Sequence, residues 1–276
     1  MKKNAFLIAS ALVCASVPAF ADGTVDGGNI FGILKVESKT ADTIVAVPWC
    51  ECATNDNGAV AISNIVKTAN LTVGDTLCAL DSNRDKINTW TLTSGAGNVL
   101  YWESQKQVVE SGVVENSISA AQAHAARGTA IILHRQNPTN SVGNANAFYL
   151  YGQVGSRDVT TTPIAATESA PAYTLIAPPS TNDVNLLQSG VLTDVPNGDS
   201  IVVRFDNGVN REFKYNGSSW VYTKRTYNPK AETAALAYTI TEYPTNSITL
   251  KCGTGAWYIS RGASVPTIAW PQVPTK

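Results

Sequence analysis

Histidine is scarce in this chain, with His124 and His134 the only two. A nucleophilic triad needs a histidine beside a nucleophile and a carboxylate, and no Gly-x-Ser-x-Gly elbow nominates the serine. His124 falls in an alanine-rich segment expected to be helical and His134 in a strand. Neither has a run of carboxylates nearby, so a metal site does not follow. Asp75 and Asp199 each follow a glycine at the start of a strand. Paired carboxylates invite an acid–base reading, but an aspartate after glycine commonly fixes a turn by accepting from backbone N–H groups, and a repeated aspartate does that job twice. Arg135 and Arg261 end matching strands, either reaching those aspartates or solvated. The chain is read as a non-enzyme without a cofactor.

Five cysteines are present. Cys14 lies in a leader, leaving Cys50, Cys52, Cys78 and Cys252. In an oxidising compartment these favour disulfides, with one of Cys50 and Cys52 joined to Cys78 and the other to Cys252. A four-thiolate zinc site and free thiols are the competing readings, and the Cys-x-Cys spacing lacks the usual paired Cys-x-x-Cys of zinc.

Six tryptophans and ten tyrosines supply the one hint of binding. Trp102, Trp220, Trp257 and Tyr258 fall in strand or turn segments where exposed rings would stack on sugars. The competing reading has these aromatics filling the space between layers.

The elements that would position these residues are mostly strands. Gly198 to Tyr222, GDSIVVRFDNGVNREFKYNGSSWVY, reads as strand, turn, strand, turn, strand, because Asn-Gly tolerates the positive φ of tight hairpins and the flanking residues are β-branched or alternate. An altered copy runs from Gly74 to Trp102. Around them the order repeats: Thr43-Ile44-Val45-Ala46-Val47-Pro48 is answered by Thr174-Leu175-Ile176-Ala177-Pro178-Pro179, and Thr129 to Arg135 by Gly255 to Arg261. A short helix is expected at Ala61 to Thr68, answered by Val184 to Leu187. A second is expected at Ser117 to Ala126, answered by Lys230 to Tyr238, on alanine content and a serine cap. The strand at Phe148 to Val154 resembles Ile30 to Val36 and is open to membership of either module or both. The expected fold is mainly β: two related antiparallel modules, each a sheet or small sandwich with short helices, from a tandem duplication. Boundaries fall at 1–21 (leader), 22–157 (first module), 158–172 (linker) and 173–276 (second module).

The leader has Lys2 and Lys3, an apolar run from Ala5 to Val17, and Ala19-Phe20-Ala21, the pattern of a secretory signal peptide cleaved near Ala21. A lipoprotein signal at Cys14 competes, against a bulky Val13. Cleavage removes both lysines and takes the formal charge from −1 to −3. No basic cluster and no second hydrophobic segment follow, so neither nucleic acid nor a transmembrane anchor is expected.

The apolar-Pro strand end, the Gly-Asp-Ser strand, the YNGSSWVY hairpin and the closing GTGAWYISRG resemble uncharacterised secreted proteins abundant in Verrucomicrobia and Lentisphaerae. The likeness covers both halves, better in the second, and implies a secreted β protein without assigning catalytic residues. The expected role is a secreted or periplasmic structural or cell-surface assembly protein that associates with itself or with other surface proteins. The alternative is a carbohydrate- or ligand-binding module using exposed aromatics.

Overall fold

The computed structural model describes residues 31–37, 41–47, 59–66, 71–80, 87–104, 106–108, 114–116, 119–120, 122–136, 147–153, 159–167, 170–180, 182–205, 209–227 and 238–271. These residues form antiparallel sheets with very little helix. The stretch from Gly198 onward is the meander its turn residues dictate, with strands Ser200–Arg204, Asn210–Tyr215 and Trp220–Tyr227. Tyr238–Thr245 pairs next, and Ala256–Ser260 and Ala172–Ile176 complete a six-stranded sheet on the other side.

The first half contains a five-stranded sheet in the same order: Asp42–Ala46, Ala130–His134, Thr76–Leu80, Ile87–Ser94 and Leu100–Ser104. Each sheet buries one face beneath smaller ladders, as a single sheet with an apolar face must. Phe31–Glu37 with Ala147–Gln153, and Ala59–Ala61 with His124–Ala126, serve the first half. Val159–Thr161 and Leu192–Thr193 on either side of Thr267–Trp270, together with Val184–Asn185 against Thr249–Leu250, serve the second. Trp90, Trp102, Leu133 and Phe148 lie in one core, and Ile201, Phe213, Trp220, Tyr258 and Trp270 in the other. Fully burying one such large side chain is worth roughly 1.5–3 kcal/mol.

The ladders correspond residue by residue. Thr76 faces Thr91 and His134, as Ser200 faces Lys214 and Ile259. Leu92 faces Trp102, as Tyr215 faces Trp220. Gly74 and Gly198 both have positive φ, 98° and 95°, and donate to the carbonyls of Leu92 and Tyr215. Ile62 donates to Ala123 as Leu186 does to Ile248. This register moves one expected match by a residue: Arg135 corresponds to Ser260, and Gln136 to Arg261. The two arginines sit one place apart in the register, which is why a match on sequence alone aligns them.

Other expectations change as well. Among its described residues the alanine-rich segment is no helix: Ala123 closes a turn and His124–Ala126 is a strand on Ala59–Ala61. Burial of Ala120 and Ala123 in the core overrides helix propensity, which is a weak preference. The counterpart of that strand is Thr249–Leu250, whereas Tyr238 starts a strand and the rest of the proposed second-half helix lies outside the described residues. The first short helix is limited to Ile62–Ile65. Ala147–Gln153 pairs with Phe31–Glu37 in a two-stranded ladder of the first half. Val159–Thr161, inside the stretch read as a linker, is a strand of the second half.

The halves meet through the edge strands of their main sheets. Val45 forms a bridge with Thr254, and the corresponding Ile176 forms one with the corresponding Thr129. Ile44, Ala46, Ala130, Leu175 and Ala177 make a small shared core between them. Arg204 of the second half reaches across to Asp42 of the first at 3.8 Å.

Candidate functional site

Asp75 and Asp199 are fully buried, each in a turn that starts a central strand. Asp75 accepts the backbone N–H groups of Thr72 and Gln136 and the Thr72 hydroxyl, and Arg135 Nε lies 3.9 Å away. Asp199 accepts the N–H of Arg261 at 2.8 Å, the same bond that Gln136 gives Asp75. Its second partner differs for a simple reason. The residue corresponding to Thr72 is Pro196, which has no N–H to give. The hydroxyl of Tyr258 donates to Asp199 at 2.6 Å instead. Burial, that hydrogen bond and the aspartate's charge together push the Tyr258 phenol far above its usual range, so it stays protonated. The Arg261 guanidinium turns outward to Glu212 at 3.5 Å. These four residues hold turns and do not converge on a cleft.

His134 sits opposite Asp42 on the neighbouring strand, with Nδ1 2.6 Å from Oδ1. His124 Nδ1 lies 2.9 Å from the carbonyl of Gln122. Cys78 contacts the Thr89 hydroxyl at 3.6 Å, and Cys252 packs in the core of the first half. No disulfide is seen among the described residues, and Cys50 and Cys52 lie outside them.

The four aromatics singled out from the sequence do not make a platform. Trp102, Trp220 and Tyr258 are core residues, at 8%, 6% and 0% exposure. Trp257 is half-buried on the opposite face of the sheet, edge-on to Tyr173. Strand alternation explains the split: Tyr258 shares a face with Ile201, so its neighbour Trp257 points away.

A different set of rings gathers at the margin of the second core. On the core-facing side of the second sheet, alternate residues run outward along each strand from buried to exposed. Val203 leads to Phe205, and Phe213 to Arg211, while Trp220 leads to Tyr222 with Tyr243 beside it. The outer members extend beyond the covering layer, and Phe205, Arg211 and Tyr222 line, with the inner Val203 and Phe213 at its base, an open groove of about 220 Å³, with Tyr243 stacked behind Tyr222. Tyr222 and Tyr243 stack at 5.1 Å with their planes 19° apart, and Phe213 meets Tyr222 edge-on. The Arg211 guanidinium lies 5.0 Å from the Phe205 ring centre and 4.9 Å from that of Tyr222. Across the groove stand Thr245, Ser247 and Thr249, with the last two hydroxyls 2.9 Å apart.

The described residues of the first half do not repeat this set. By ladder register, Asn88 stands at the place of Arg211, Trp90 at that of Phe213 and Ser104 at that of Tyr222. Gly74 and Gly198, or Trp102 and Trp220, recur in both halves. Arg211 and Tyr222 do not, so the shared architecture does not require them. Comparison with protein families, with characterised proteins and with solved structures found no match. Among the described residues, no helix is long and apolar enough to cross a membrane, and no group of His, Cys, Asp and Glu is arranged to hold a metal.

Proposed function

We propose that this is an exported, non-enzymatic binding protein, built by duplication of one β module, whose second half holds a glycan in the groove of Phe205, Arg211 and Tyr222, with Tyr243 backing Tyr222. The observation that carries this reading is the cluster of Phe205, Tyr222 and Tyr243 around the Arg211 guanidinium, at the margin of the core and faced by hydroxyls. Sugars present C–H groups to aromatic side chains and hydroxyls to polar and cationic groups, and the groove offers aromatic, hydroxyl and guanidinium groups together. Support for duplication comes from the shared strand order and register, and support for export from the leader pattern at the N-terminus. The test is a titration of the purified chain against a glycan panel, with Tyr222→Ala and Tyr243→Ala as variants. Each should weaken binding about tenfold or more, the scale of a lost aromatic contact of one to two kcal/mol. Tyr101→Ala, an exposed tyrosine of the first half, should leave it unchanged. Binding that survives both groove variants sinks the proposal.

A second reading, surface assembly, rests on Tyr238–Thr245. This eight-residue strand is the last of the six-stranded sheet, with an edge unpaired among the described residues. Free edges recruit strands from other copies, although Pro244 lacks an N–H with which to do so. Sedimentation over a wide concentration range decides this reading: a concentration-dependent species favours assembly, and a monomer throughout removes it.

A further inference from the structure

We propose that the groove selects an acidic glycan, one bearing a carboxylate or a sulfate, and that Arg211 receives the acid group. This rests on the glycan-binding reading and adds the chemical class of ligand. Three observations carry it. The first is the setting of Arg211, whose guanidinium is flanked by the Phe205 and Tyr222 rings at 5.0 and 4.9 Å. Ring contact restrains a guanidinium that would otherwise sweep through solvent, and a planar, restrained fork binds a carboxylate or sulfate through paired N–H bonds.

The second is charge. Neighbouring arginines face carboxylates: Arg261 is 3.5 Å from Glu212, and Arg204 is 3.8 Å from Asp42. Arg211 has no carboxylate partner among the described residues, and the described residues that line the groove with it are apolar, aromatic and hydroxyl-bearing, with no acid among them. A chain with a formal charge of −1, or −3 without the leader, has no general attraction for polyanions, so selectivity has to come from this local cation. The third is the comparison of the halves, where the cation and its tyrosine partner are replaced together by Asn88 and Ser104. Arg211 and Tyr222 thus differ between the halves as a unit.

The experiment titrates the whole chain with four probes: polygalacturonate for carboxylates, dextran sulfate for sulfates, unmodified dextran as a neutral polymer, and oligothymidylate as a non-glycan polyanion. Arg211→Gln, Arg211→Lys and Tyr222→Ala are run in parallel, with thermal unfolding to verify that each variant is folded. The expected result is binding of one or both acidic polysaccharides, weakening with added salt, and little binding of dextran. Arg211→Gln should lose about tenfold or more, the worth of a charge-assisted hydrogen bond, while Arg211→Lys retains part of the affinity. The carboxylated and sulfated arms distinguish the acid group. Equal binding of dextran, unaffected by Arg211→Gln but lost in Tyr222→Ala, overturns the acidic ligand and leaves the glycan groove standing. Absence of polysaccharide binding, or binding indifferent to Tyr222→Ala, overturns both. Oligothymidylate binding more tightly than either acidic glycan, and lost in both Arg211→Gln and Tyr222→Ala, overturns the proposal in favour of a single-stranded nucleic acid.

Discussion

Gly128 and Gly253 perform one task in opposite directions. The carbonyl of Gly128, in the first half, accepts the N–H of Ala177 from the second at 3.1 Å, and the carbonyl of Gly253, in the second, accepts the N–H of Ala46 from the first at 2.9 Å. Donors and acceptors occupy corresponding places, so the contact is self-complementary, like the two-fold interface of a homodimer. The relation extends to the reciprocal bridges Val45–Thr254 and Ile176–Thr129.

Both glycines should resist substitution. Their φ angles are 85° and 75°, where a side chain is strained, and an added Cβ would come within 2.5 Å of Thr161 Oγ1 at Gly128 and of Val36 Cγ2 at Gly253. Gly128→Ala and Gly253→Ala are each expected to lower unfolding free energy by about 1–3 kcal/mol or more, as overpacking does. Urea denaturation measures this, and a neutral result at either position contradicts the close packing described.

Tyr258→Phe should cost about 1–3 kcal/mol at neutral pH, because it deprives a buried carboxylate of a donor. The pH dependence has a definite sign. Folding raises the phenol's pKa, so its contribution is fully present below the ordinary tyrosine value of about 10 and declines as pH rises beyond it. The stability gap between wild type and Tyr258→Phe should therefore narrow above about pH 10. A gap that widens there refutes the assignment of Tyr258 as the donor.

Stability and binding should separate among the aromatics. Trp102→Ala and Trp220→Ala remove buried side chains and should cost about 3–5 kcal/mol. Tyr243→Ala, at 39% exposure, should change stability by no more than about 1 kcal/mol. Thermal unfolding of the three variants makes the comparison.

The Arg204–Asp42 pair crosses between the halves but is partly exposed on both sides. Arg204→Gln should therefore cost no more than about 1 kcal/mol, and the effect should shrink in high salt. A larger loss, insensitive to salt, would mean that the pair rather than the Ile44–Leu175 patch holds the halves together.

Much of the architecture was legible because strand signals are local. Turn residues and alternation place Ser200–Arg204, Asn210–Tyr215 and Trp220–Tyr227, and the apolar-Pro match of Thr43 with Thr174 is the register that the ladders show. The segment around Ala120 and Ala123 was not legible, since its conformation depends on a partner strand more than fifty residues away. Neither was the groove. Alternation puts Trp220 and Tyr222 on one face, but how far the covering layer reaches along that face is a tertiary fact. It makes Trp220 core and leaves Tyr222 at the margin.

The position of Cys252 bears on when the chain can fold. It packs with Leu34 and Val36 in the core of the first half, although it lies more than two hundred residues further along the chain. The first sheet thus lacks a piece of its interior until residue 252 has been made, and contacts of such long sequence separation are slow to form. A ribosome-bound chain halted just after Gln153 holds every strand of the five-stranded sheet but neither Cys252 nor Gly253, the partner of the Asp42–Ala46 edge. Until then the first sheet has an incomplete interior, and the two halves complete each other only late in synthesis.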